Sequence, residues 1–358
     1  MLTFHAGLGM LLVLGALVGL PRSEAAAGAP HAVDRLTLEQ QVGQLLVLSF
    51  TGTTPPEYVR EALRQKRAAG VILFGGNIRG PRQLGELTRV LRRQGGRPIV
   101  AVDQEGGPVR RLPWAGPLAA QPRQLSRGTV RADATAAARA LRAAGVTVTF
   151  APVADVPSVP GAALARRAFT RDPRAAGDAV QAAVRGWRAG GVAATAKHFP
   201  GLGGAPANTD DAIVTIRRSR AALDAVDLPP FAAAIATGVP LVMVGHARYP
   251  ALDRFRLASQ SRPIIAGVLR EELGFRGVVV TDSMEARASL ATGGITKVCE
   301  RAIRAGADLL LLAGRGSYRP VYEHVLALAR SSPELRARVR ESAARVLALK
   351  QRGPRSPG

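Results

Sequence analysis

The chain has 358 residues, with 49 Lys or Arg against 26 Asp or Glu, a formal net charge of +23. Only Lys66, Lys197, Lys297 and Lys350 are lysines, so 45 of the cations are Arg. With 47% hydrophobic and 21% charged residues, one Cys, no three-residue glycine period and no sustained heptads, it is too apolar for a disordered chain and is not a collagen, coiled coil or disulfide scaffold.

In chain order, Gly7–Leu20 is a run of 14 residues without a charge. It is shorter than the roughly 20 apolar residues a membrane span needs, and Ala25-Ala26-Ala27 follows with small side chains. This pattern predicts a signal peptide over 1–27, an exported protein, and no transmembrane segment after its removal. No Cys follows the run, which argues against lipid attachment at a processed terminus.

From residue 40 onward, short β-type runs alternate with longer helix-type runs. The expected strands are Gln44–Phe50, Val71–Phe74, Pro98–Asp103, Val146–Val153, Val192–Phe199, Leu241–His246, Val278–Asp282 and Asp308–Ala313. Most are continuous apolar runs, as parallel strands covered on both faces should be. Helical spacing marks Pro81–Gln94, Arg131–Ala144, Asp172–Ala189, Pro263–Leu273 and the tail Leu335–Arg352. Gly70, Gly145, Gly191, Gly238, Gly277 and Gly306 stand where helices should stop before strands. Eight such units in about 300 residues predict a single-domain (β/α)₈ TIM-type barrel over 28–358. A doubly wound sheet is the alternative, but no dinucleotide glycine fingerprint follows the first strand. The lone Cys299 falls in an expected helix and reads as core filler.

In such barrels the chemistry sits where strands end and βα loops begin. The third strand ends in Asp103, the fifth in Lys197-His198, the sixth in His246 and the seventh in Asp282, while the fourth leads to Asp155 and then Arg166 and Arg167. Five of eight strand ends carrying such groups predict one polar, mixed-charge site at the barrel mouth. A metal-dependent amidohydrolase would use Lys197, His198, His246 and Asp282, but the close His pair near the first strand that it needs is missing; the other His are His5, His31 and His324. A Schiff-base enzyme could use Lys197. Glycoside hydrolysis needs two carboxyl groups, which Asp282 and a loop carboxyl would supply.

The segment Val102–Arg111 (VDQEGGPVRR) resembles the signature of glycoside hydrolase family 3. Ala151–Val156, Arg167-Ala168-Phe169 with Asp172-Pro173, Lys197–Gly201 (KHFPG), Val242–His246, Leu273–Asp282 and Ala305–Asp308 continue the resemblance in the family's order, over about residues 36–350. The single-domain length is similar to the bacterial β-N-acetylhexosaminidase branch. The resemblance implies a retaining exo-β-N-acetylglucosaminidase working without a cofactor through a covalent glycosyl-enzyme on Asp282. Flanking Arg and Lys are expected to keep that carboxylate ionised. Asp103, Arg111, Arg167, Lys197 and His198 match the residues that hold the terminal sugar. His246 is expected to support them by hydrogen bonding, and Glu105 to hold the Gly106-Gly107 turn. The substrate class implied is a GlcNAc-containing glycan, notably peptidoglycan fragments.

One departure concerns the proton donor. Where this branch carries an Asp-Ser-His dyad, the chain reads Asn208-Thr209-Asp210. Either Asp210 is the acid/base directly, or the protein is a catalytically weak sugar-binding barrel. The Arg residues are spread through every helix-like segment and aromatics are 4%, which argues against nucleic acid. The field that remains predicts electrostatic association with an anionic cell envelope.

Overall fold

The computed structural model describes residues 29–95 and 97–352. The expected signal peptide over 1–27 and the end Gly353–Gly358 lie outside the described residues. The order of parallel strands is the first consequence of the apolar runs. They are β1 Leu46–Leu48, β2 Gly70–Ile72, β3 Ile99–Val102, β4 Val148–Thr149, β5 Thr195–Phe199, β6 Leu241–Val244, β7 Val278–Ser283 and β8 Leu309–Leu312. They form one sheet in the order β4-β3-β2-β1-β8-β7-β6-β5. Parallel bridges between Val148 and Ala193 and between Val153 and Lys197 join its two edges, so the sheet closes into the expected (β/α)₈ barrel.

Side chains alternate across each strand, and both faces are buried. Val47, Ile72, Ala101, Phe150, Met243 and Val280 fill the barrel interior. Their neighbours Leu48, Val71, Val100, Val242, Val279 and Leu310 pack outward beneath the helices. This explains why the runs read as continuously apolar. The expected helices appear at Pro81–Gly95, Val130–Ala143, Pro173–Gly190 and Pro333–Arg352. Residues Pro263–Glu272 wind more widely than an α-helix, as a π-helix. Cys299 is buried in the core.

Three differences from the sequence expectation have local causes. The fourth strand is far shorter than Val146–Val153, because Pro152 has no N–H for the ladder. The side chain of Gln121 takes over at Val153, accepting from its N–H at 2.9 Å and donating to its C=O at 3.0 Å. A hairpin, Gln104–Gly106 with Val109–Arg110, follows β3 and was not expected. Finally, Gly191 and Gly306 do end helices in the left-handed region, but Gly70 and Gly277 do not adopt it. A side chain at Gly70 would strike the Ile99 carbonyl at 2.0 Å, so that glycine allows close approach of β2 and β3.

The N-terminal pole is held by Asp308, which is fully buried at the start of β8. Its carboxylate pairs with Arg270, Arg338 and Arg345 and accepts from the Val279 N–H and the Ser342 hydroxyl. Burial pushes its pKa up, but the three guanidinium groups outweigh that and hold it below the ordinary Asp value. One carboxylate thus ties β7, the 263–272 helix and the final helix together. Asp308→Ala should strand three cations around an empty site and cost about 3–5 kcal/mol of folding stability, measured by chemical denaturation.

Candidate active site

The C-terminal ends of the strands carry the charged residues that the sequence placed there. Asp103 directly follows β3, and the hairpin after it turns Glu105 to the same side, two residues on. Lys197, in β5, lies between them. Its Nζ is 2.8 Å from Asp103 Oδ1 and 2.7 Å from Glu105 Oε1, and its side chain is only 3% exposed. Arg167 grips Glu105 with both forks, Nε to Oε2 at 2.9 Å and Nη2 to Oε1 at 2.7 Å. Arg111 Nη2 reaches Asp103 Oδ2 at 3.4 Å and lies over the Phe74 ring.

These groups set one another's charge. Burial raises the pKa of Asp103 and Glu105, but Lys197 with Arg111 or Arg167 pulls both below the usual carboxylate range. Burial alone would depress Lys197, and the two carboxylates instead raise it. Glu105 therefore does more than hold the Gly106-Gly107 turn: it is the buried counter-charge of Lys197 and Arg167. The spacing Asp103-x-Glu105 was the available signal, since alternate residues of an extended segment share a face. Between them, Gln104 points the other way and is wholly buried. It accepts from the N–H groups of Arg111 and Leu112 and donates to the carbonyls of Leu112, Ala115 and Gly116. That amide fixes the loop carrying Arg111.

His198 is oriented by Asp155. The Asp155 carboxylate, 1% exposed, accepts from the His198 Nδ1 at 2.7 Å, from the His198 N–H and from the Leu202 N–H at 2.6 Å. A carboxylate can only accept, so Nδ1 carries a proton. Asp155 is thus a support for the 198–202 loop, and Arg166 of the following loop is exposed, outside the ion-pair web. The loop itself is packed tightly enough that a side chain at Gly203 would meet the Val156 carbonyl at 1.9 Å.

Asp282 lies within β7, at its mouth end. Its Oδ1 accepts from the Ser283 N–H at 2.8 Å. The cations expected to flank it are committed elsewhere: Arg111, Arg167 and Lys197 pair with Asp103 and Glu105. His246 is fully buried and donates from Nε2 to the Ser283 carbonyl, while Nδ1 takes the Ser259 hydroxyl, both at 2.8 Å. It therefore holds the backbone beside Asp282. Neither serine was singled out from the sequence, because their positions depend on how the loops after β6 and β7 meet.

The loop with Asn208 and Asp210 docks on the loop after β7. The Arg287 N–H donates to the Asp210 carbonyl and the Ala288 N–H to that of Thr209, both at 3.2 Å. This brings the Asp210 carboxyl towards Asp282. Although the residue is exposed, desolvation of its carboxyl and the negative charge of Asp282 raise the Asp210 pKa, against the opposing hydrogen bond from Asn208 Nδ2 to Asp210 Oδ2 at 2.8 Å. Among the described residues no three His, Cys, Asp or Glu are grouped to hold a metal ion, and no helix is long and apolar enough to cross a membrane.

Residues 37–349 match the Glycosyl hydrolase family 3 N terminal domain. A β-hexosaminidase of Nitrosomonas eutropha is 35% identical over 278 residues, 75% of this chain and 80% of that protein. The chain belongs to glycosyl hydrolase family 3. A β-hexosaminidase of Stenotrophomonas maltophilia is 36% identical over 279 residues, 75% of this chain and 83% of that one. The fold matches a solved family 3 β-N-acetylglucosaminidase from Paenibacillus with a TM-score of 0.84 at 34% identity. That match covers 88% of this chain, which spans 62% of the Paenibacillus protein. A β-N-acetylhexosaminidase from Beutenbergia cavernae gives a TM-score of 0.82 at 34% identity, covering 88% of this chain and 99% of that one.

The paired carboxyls of this family 3 site can be tested directly. Asp210 should titrate above the ordinary Asp value of 3.8 when followed by carboxyl-carbon NMR. Replacing its like-charged neighbour, Asp282→Asn, should lower that midpoint. An unchanged midpoint would show that the two groups do not sense each other.

Proposed function

We propose that this glycosidase is an exo-acting, retaining β-N-acetylglucosaminidase, with Asp282 as nucleophile and Asp210 as acid/base. The observation that carries this reading is the docking of the 208–210 loop on the loop after β7, which brings the Asp210 carboxyl within electrostatic reach of Asp282. In the first step the Asp282 carboxylate attacks the anomeric carbon while the Asp210 O–H gives its proton to the departing glycosidic oxygen. The C–O bond breaks and a glycosyl ester remains on Asp282. In the second step Asp210, now a carboxylate, takes a proton from water, whose oxygen attacks the same carbon and frees Asp282.

The electrostatics suit both halves. While Asp282 is ionised it favours a protonated Asp210; once it is esterified its charge is gone and Asp210 becomes the stronger acid, ready to act as base. Asp103 can accept from two sugar hydroxyls. Arg111, Lys197 and His198 supply donors around it, and Arg167 keeps Glu105 and Lys197 in place. Terminal GlcNAc of peptidoglycan fragments is the substrate proposed. Export is proposed on the Gly7–Leu20 run and the alanines that follow it, and envelope association on the excess of Arg.

The absence of a His at 210 favours a second reading, a sugar-binding barrel with little turnover. Release of GlcNAc from muropeptides separates the two. On the first reading, Asp282→Asn abolishes release and the newly formed sugar appears as the β-anomer by NMR. Asp210→Ala should lower turnover by about 10²–10⁴-fold for substrates with poor leaving groups and much less for activated aryl glycosides. Equal loss on both substrate types would remove Asp210 from the acid role. Retention on isolated cell walls should fall between low and high salt, because long-range attraction is screened. Salt-independent retention would dismiss the electrostatic reading.

A further inference from the structure

The barrel has a second opening, at the pole opposite the mouth. The starts of β3 to β7 and the last turns of helix Pro333–Arg352 enclose a cavity of about 1030 Å³, the upper end of the size range of ligand sites. Its inner wall is apolar, including Ile99, Val148, Val278 and Leu349, which belong to or pack on the barrel interior. Of the 29 described residues that line it, seven are Arg, one is Lys and none is Asp or Glu. Some of these cations are already engaged. Arg345 pairs with Asp308 and Glu341, and Arg188 donates to the Thr237 carbonyl. Lys350 donates to Gln44 Oε1 at 2.7 Å, and burial pulls its pKa down to about 7. Arg92, Arg97, Arg276 and Arg352 stand at the cavity without an ion pair among the described residues. Such a one-sided cationic rim over an apolar recess has no part in the reaction at the mouth.

We propose that this pole binds a single-chain anionic amphiphile, with its hydrocarbon chain in the cavity and its acidic head among the four arginines. Three observations select this occupant. Apolar walls would waste the affinity of a small soluble anion, and the cationic rim would disfavour a neutral or basic guest. The apolar surface is recessed, and the large exposed hydrophobic side chains (Tyr58, Trp114, Leu118, Ile213, Phe255 and Leu290) all lie off the cavity. A bilayer surface would therefore find nothing here to receive, whereas one extracted chain can enter.

The test is calorimetric titration of the full chain with laurate below its micellar concentration. We expect one saturable site per chain, and binding weaker by about tenfold or more for monolaurin, which has the same tail without the charge. Inorganic phosphate should not displace laurate. The double substitution Arg92→Glu with Arg276→Glu, both outside the catalytic mouth, should weaken laurate by a similar factor and leave aryl-glycoside hydrolysis unchanged. Asp282→Asn should bind laurate as the unaltered chain does. Equal affinity for monolaurin, indifference to the charge reversal, several bound molecules per chain, or attachment to anionic phospholipid vesicles without laurate uptake would each overturn the proposal. So would no laurate binding at all, the result expected if a terminal segment of the chain already fills the cavity.

Discussion

Burying the Lys197 ammonium in the barrel mouth is the constraint on which the rest of the site depends. Removing an unpaired ammonium from water is prohibitively costly, and here the cost is offset by two carboxylates at hydrogen-bonding distance. Two carboxylates on one ammonium leave a surplus negative charge, and Arg167 meets it from the loop after β4. The web therefore recruits β3, its hairpin, β5 and the β4 loop into one rigid unit. Lys197 and Glu105 are sealed within it, while Arg111, Arg167 and Asp103 keep part of their side chains exposed. Specific sugar contacts gain from this arrangement, because the groups that would meet a hydroxyl are already oriented.

Support beneath the site follows the same logic of buried polar groups satisfied by named partners. Asp155 orients His198, and Gln104 shapes the turn before Arg111. His246 spans Ser259 and the Ser283 carbonyl, so the backbone next to Asp282 is held from the neighbouring strand. Each of these side chains is buried and each has its hydrogen bonds made, as a preorganised site requires.

Much of this was legible in the sequence. Continuous apolar runs followed by Asp103, Lys197-His198, His246 and Asp282 expose parallel strands covered on both faces and the end where their polar groups gather, and the eightfold repeat without a dinucleotide glycine fingerprint favours the barrel over a doubly wound sheet. Pairing in space was not legible. Nothing in the residue order says that Lys197 will bridge Asp103 and Glu105, or that the arginines near the site will neutralise those two rather than Asp282. The two short arms of the 104–110 hairpin are below the length at which periodicity speaks. The early end of β4 depended on Pro152 and on Gln121, a residue 32 positions from the strand end it completes. The cationic excess also changed meaning: on the fold, some arginines neutralise Asp308 and Glu105, and others gather unpaired at the pole opposite the mouth.

The hydrogen bond between Asn208 and Asp210 has a consequence for how protons travel. In a dyad, an imidazole can hold a proton while its carboxylate partner balances the charge, so the protein itself stores the proton between steps. An amide neither gains nor loses protons near neutral pH. Asn208 is the one side chain that hydrogen-bonds Asp210 among the described residues. A reaction run through Asp210 would thus have no internal relay: the proton lent to the leaving group would be reclaimed from the incoming water, one transfer at a time, directly across the solvent boundary.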